Sequence, residues 1–184
     1  YGMTATSTTV DQAMEKVSEA LTEKGFEVLG TYHPSGKSSL GVLVFTSDDL
    51  KKTVIPLRKR GIHAAVLRAG FVSKGGKTTI SFTNPEYFFH AYLQDDAEKA
   101  RNLRGISSKV KSTFRSLGSI RGFGGNLKAD KLKKYKYMVG METFKNPVEL
   151  KTFSSFKAGV SKIQSDLKKR ENKCQLVYSI VDEK

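Results

Sequence analysis

Tryptophan is absent from the 184 residues, cysteine occurs once and proline four times. A lone cysteine, Cys174, excludes an internal disulfide framework and a cysteine-built zinc site. Long hydrophobic runs are missing too. The longest, Leu40 to Phe45, has the length of a strand, far short of the roughly 20 residues that cross a bilayer. Signatures of nucleophilic catalysis are also lacking, since no Gly-x-Ser-x-Gly elbow occurs. Asp48-Asp49 and Asp95-Asp96 are adjacent pairs, the wrong geometry for two carboxylates at one reacting centre. They suit helix caps or solvated turns. No cofactor is called for, and the reading leans away from an enzyme.

What is present is an ordinary globular composition, 38% hydrophobic and 27% charged, with a strongly uneven charge. The net formal charge is +14. Residues 1–96 hold 11 Lys/Arg against 10 Asp/Glu, and residues 97–184 hold 21 against 8. Any partner implied by charge belongs to the second half: a nucleic-acid backbone, an anionic surface or an acidic protein. Most of these cations are lysines, poor bidentate readers of phosphate, and a solvated basic surface explains them equally well. The chain opens Tyr1-Gly2 rather than on methionine, which points to a removed tag or signal peptide. An exported, periplasmic or surface address is favoured over a cytoplasmic one.

Periodicity predicts the architecture. Met3 to Thr9 reads as a strand. Thr8-x-x-Asp11 then opens a helix whose Val10, Ala13, Met14, Val17, Ala20 and Leu21 fall at helical spacing before Gly25 stops it. Strands follow at Phe26 to His33, Leu40 to Thr46, Ile62 to Ser73 and Lys77 to Thr83, the last two flanking Lys74-Gly75-Gly76. Asp48 and Asp49 cap a short helix through Val54. Asn84-Pro85 leads into the aromatic helix EYFFHAYL. The predicted fold is α+β, an antiparallel sheet with packed helices in the order β-α-β4-α over residues 1–95. A basic helical connector spans 96–126, with Val110, Phe114 and Leu117 on one face, and a basic lobe spans 127–184.

The lobe repeats the start of the chain. At an offset of 146, Val10, Met14, Val17 and Leu21 align with Phe156, Val160, Ile163 and Leu167, Thr9 with Ser155, and Val28 and Tyr32 with Cys174 and Tyr178. A partial β-α-β duplication follows, with Cys174 as a core thiol on the strand CQLVYSI.

The segments EKGFEVLGTYHP and KTTISFTNPEYFFHAYL, with the apolar strand between them, resemble the bacterial domain of unknown function 302 over roughly residues 5–93. The resemblance implies a bacterial protein with a TATA-binding-protein-like or helix-grip fold, in which a curved sheet holds a long helix. It also implies a homodimer paired through sheets. It implies no activity, and it says little about residues 97–184.

In a helix grip, ligands sit between sheet and helix. Arg68 interrupts the face formed by Ile62, Ala64, Val66, Gly70 and Val72, so it either reaches the sheet rim or anchors an anion in that space. Tyr32, Tyr87 and His90 are the other candidate lining residues, for a small or lipid-like ligand. Glu86 and His90 lie one helical turn apart and His33 stands beside Pro34, yet nothing in the spacing makes these three converge on a metal, and none is expected. Arg121-Gly-Phe-Gly-Gly-Asn126 lacks the Lys-Ser/Thr of a phosphate loop. The second function class is polyanion docking through Lys131, Lys133, Lys134 and Lys136 in KLKKYKYM, although helical spacing there turns Tyr135 inward.

Overall fold

Thr9, rather than Thr8, starts the first helix in the computed structural model of the chain. Its hydroxyl accepts from the Gln12 backbone at 3.2 Å while Gln12 Oε1 accepts from the Thr9 backbone at 3.0 Å. Two of the helix's first unpaired N–H groups are satisfied in this way. Helix α1 (Val10–Glu23) buries Val10, Ala13, Met14, Val17 and Leu21, and Gly25 ends it at φ 74°. The structure describes residues 1–6, 8–57, 60–99, 102–124, 127–132, 134–136, 138–144, 146, 148–169 and 174–182. They divide into two compact units, Tyr1–Lys145 and Asn146–Lys184, a different division from the expected breaks at 95 and 126.

In the first unit, β1 (Gly2–Thr6), β2 (Glu27–Tyr32), β3 (Leu40–Thr46), β4 (Leu67–Lys74) and β5 (Lys77–Phe82) form one sheet in the order β1-β5-β4-β3-β2. Every pairing is antiparallel. Two short helices, α2 (Asp48–Val54) and α3 (Gly61–Ala64), join β3 to β4. The α3 turn replaces the first part of the expected Ile62–Ser73 strand. Ser47, not an aspartate, caps α2 through Leu50 N at 3.1 Å. After the sheet come α4 (Pro85–Leu93), α5 (Asp96–Lys99), α6 (Asn102–Leu117) and α7 (Ala129–Leu132). The protein is thus α+β, a five-stranded antiparallel sheet with packed helices.

The register separates the faces. Gly41, Phe71, Ile80 and Met3 lie in one row, and Leu43 with Ala69, and Phe45 with Leu67, extend the same face. Helix α1 lies so close to this face that a Cβ on Gly41 would stand 2.5 Å from Val10 Cγ1; only glycine fits there. Phe114 of α6 stacks on Phe82 at 3.9 Å and approaches Phe45 at 6.3 Å. These side chains are buried and fill the layer between the sheet and α1 and α6.

In the second unit, α8 (Phe156–Lys168) is capped by Ser155, whose Oγ accepts from Ala158 N at 3.1 Å, at the expected position. Gly159 packs against the Phe153 ring. The expected strand at Cys174 to Ile180 is not formed: residues 174–182 are neither helix nor strand, and Cys174 is exposed rather than in a core.

Candidate functional site

The sheet's second face carries the row Tyr32–Val42–Gly70–Ser81–Gly2, in register across all five strands. Glycine and serine at three of these five positions leave the face low toward β1. Tyr32 bounds it at the β2 edge. Phe123 bounds it at the β1 edge, with Cε1 only 2.9 Å from where a Gly2 side chain would begin. Two hydrogen bonds hold that loop in place. Gly2 N donates to Arg121 O at 2.8 Å, and Arg121 N donates to Gly2 O at 2.9 Å. The Arg121-Gly-Phe run is therefore an extension of the sheet edge. Its phenylalanine ring is 68% exposed, an arrangement water disfavours.

Arg68 sits on this face beside Val44 and is exposed, while Leu67, Ala69 and Phe71 are buried on the other. Both alternating sets of the segment are apolar, and the larger side chains took the helix-covered face. Of the two alternatives for Arg68, the sheet rim and the space between sheet and helix, the second does not hold: Arg68 is on the face away from α1. Tyr32 and Arg68 do meet. With Val42, Gly70, Thr83 and Phe123 they line a depression of about 360 Å³ on the face opposite α1.

Phe82 and Phe123 also line a second depression of about 620 Å³, which continues to Tyr1, Asn84 and Tyr87. Tyr1 stacks on Phe82 at 5.4 Å. Burial pushes the Tyr87 hydroxyl up from its ordinary value, so it remains a neutral donor. Asn84 Oδ1 is buried with no partner among the described residues. Of the four residues expected at a ligand site, Tyr32 and Arg68 line the first depression and Tyr87 the second; the two depressions, together called the trough, share Phe82 and Phe123 as lining residues. His90 borders neither: it lines a separate pocket with Glu86 and Arg104. The rest of the aromatic helix packs elsewhere, Tyr92 against Phe88 at 4.7 Å and Phe144 at 5.2 Å. His33 is held by Asp11 at 3.0 Å and by the Leu40 carbonyl at 2.7 Å.

Sequence reasoning missed Phe123, Thr83 and Asn84. A bulky ring among glycines was the available signal for Phe123; the other two owe their place to tertiary register. Lys131, Lys134 and Lys136 are exposed, and Lys133 lies outside the described residues. Tyr135 is half-buried and stacks toward Phe144 at 6.5 Å, but not through the expected helical face: α7 ends at Leu132 and Val139 is fully exposed.

No family model matches the chain, and no curated protein matches it. Among solved structures the fold is similar to that of an uncharacterised conserved DUF302 protein from Bacillus stearothermophilus. The TM-score is 0.51 and the identity 14%, over 62% of this chain and 96% of that one.

Proposed function

We propose that the protein binds, without altering it, a small amphipathic or lipid-like acid lying in the trough. The observation that carries this reading is a pair of depressions that share lining residues and have a guanidinium and aromatic rings at their borders. The Arg68 guanidinium suits a carboxylate or another oxyanion. Val42, Gly70 and the exposed Phe123 ring offer an apolar bed, and Tyr87 and Asn84 offer polar contacts in the second depression. Ligand sites commonly combine a mostly apolar lining with a few convergent polar groups. Kinship with DUF302 proteins is part of the reading, supported by the fold likeness and by the segments from EKGF to NPEYFFHAYL.

Dodecanoate is a suitable probe. Isothermal titration should show it binding, and native mass spectrometry should show the adduct, with Arg68→Glu weakening the affinity about tenfold or more, a loss of about 1.4 kcal/mol. Equal affinity of the two proteins, or no binding by either, refutes the assignment.

A second reading, docking on a polyanion, is favoured by the exposure of Lys131, Lys134 and Lys136 around α7 while Tyr135 packs inward. It requires heparin binding that weakens steeply with salt as counterions are released. Reversing Lys131, Lys133, Lys134 and Lys136 to glutamate should abolish that binding. Salt-insensitive binding counts against it.

A further inference from the structure

The pocket that took His90 out of the trough has a chemistry of its own. Helix α4 supplies Glu86, Phe89 and His90, α5 supplies Ala97 and Glu98, and the start of α6 supplies Leu103 and Arg104 around a space of about 470 Å³. That is within the usual size of small-molecule sites, about 300–1,000 Å³.

Three observations set this pocket apart from ordinary surface relief. First, Glu98 and Arg104 carry opposite charges, line the same space and are both exposed, yet among the described residues they are not paired with each other. Opposite charges left facing one gap are complementary to a molecule bearing both signs. Second, His90 Nδ1 is buried with no hydrogen-bond partner among the described residues. Such an orphan costs about 1–3 kcal/mol unless something satisfies it. Third, the chain reaches α5 through Gln94, a non-glycine residue at φ 57°, ψ −123°. This strained corner brings Glu98 round to face the α4 side chains. Strain of this kind persists where the surroundings over-determine it and clusters at ligand sites.

The third charged group is already committed. Glu86 accepts from Lys111 Nζ at 2.8 Å and Ser107 Oγ at 3.0 Å, which fixes the wall between α4 and α6. Ala97, Phe89 and Leu103 supply an apolar floor, the last two buried.

We propose that this pocket is a second, independent site that binds a free α-amino acid with an apolar side chain. The ligand carboxylate meets Arg104, its ammonium meets Glu98, His90 Nδ1 completes the polar contacts, and the side chain lies on Phe89 and Leu103. An anion alone would leave Glu98 unanswered, and an amine alone would leave Arg104 so. A zwitterion meets both charges at once, whereas each one-charged analogue forgoes one charge-assisted contact.

The experiment is isothermal titration of the full chain with L-leucine, with 4-methylpentanoate, which lacks the ammonium, and with 3-methylbutylamine, which lacks the carboxylate. L-leucine should bind and each analogue should bind at least about tenfold more weakly, the loss of one charge-assisted contact. Arg104→Glu and Glu98→Lys should each reduce leucine binding by a similar factor. The double reversal should recover part of it, because the ligand can turn end for end. Either analogue binding as tightly as leucine, leucine binding unchanged in both single variants, or no leucine binding at millimolar concentration overturns the proposal. Arg68→Glu, which lies outside this pocket, should leave leucine binding unchanged.

Discussion

Single residues set the local electrostatics, and Glu86 shows how. Lys111 and Ser107 both donate to its carboxylate, and the Lys111 hydrogen bond is the larger cause holding its titration below the ordinary glutamate value. A carboxylate that titrates lower in the folded chain than in the unfolded one stabilises the fold. That contribution is fully present above the ordinary glutamate range and is lost as the pH falls through the lowered folded value. The Glu86 side chain is 49% exposed, so solvent screens the pair and the effect is modest. In acid titrations followed by near-ultraviolet circular dichroism, Glu86→Gln should lose part of its stability at neutral pH and show a shallower fall in stability below the glutamate range. An unchanged acid profile would mean that the Lys111 contact does not couple to folding.

At the scale of elements, legibility followed how far local chemistry decides the outcome. Strand β3 was readable to its ends because LGVLVFT is apolar on both faces and bounded by polar residues, as a central strand requires. The helix caps were readable to within a residue because Ser and Thr satisfy backbone donors locally; the shift from Thr8 to Thr9 changed no buried position. Segment 62–73 was harder. Its odd and even residues are both apolar, so alternation could not say which set faces α1. Side-chain volume settled it, and Arg68 turned outward. Ile62 to Ala64 belongs to a helical turn because Gly61 allows a close approach that no side chain tolerates: a Cβ there would meet Val54 O at 1.7 Å. At the C-terminal end CQLVYSI alternates as strands do, but alternation supplies no partner, and the ladder is not formed. The trough was legible only in part for the same reason. Tyr32, Arg68 and Tyr87 were individually conspicuous, whereas Phe123 joins them through a bridge between residues 2 and 121 that no local pattern announces.

Over the whole molecule, apolar burial is distributed unevenly, and stability should follow it. The first unit holds Val17, Leu21, Leu43, Leu67, Ala69 and Phe114, each no more than 1% exposed, with β3 and β4 hydrogen-bonded on both sides. In the second unit α8 has Gly159 as its buried residue, while Phe156 and Ile163 are 49% and 52% exposed. A helix of 13 residues is marginal in water without tertiary packing. The exposed ion pair between Lys162 and Asp166 at 2.5 Å is screened by solvent and adds little. Amide protection reports the free energy of the opening that exposes each N–H, from near zero at frayed segments to the global value in core strands. In hydrogen–deuterium exchange read by mass spectrometry, peptides covering 156–168 should therefore reach full deuteration well before those covering 40–46 and 67–74. The gap should be at least about tenfold in time, about 1.4 kcal/mol of opening free energy. Equal protection of α8 and β3 would instead mean that the chain opens in one cooperative step and that burial within the second unit understates what holds its helix.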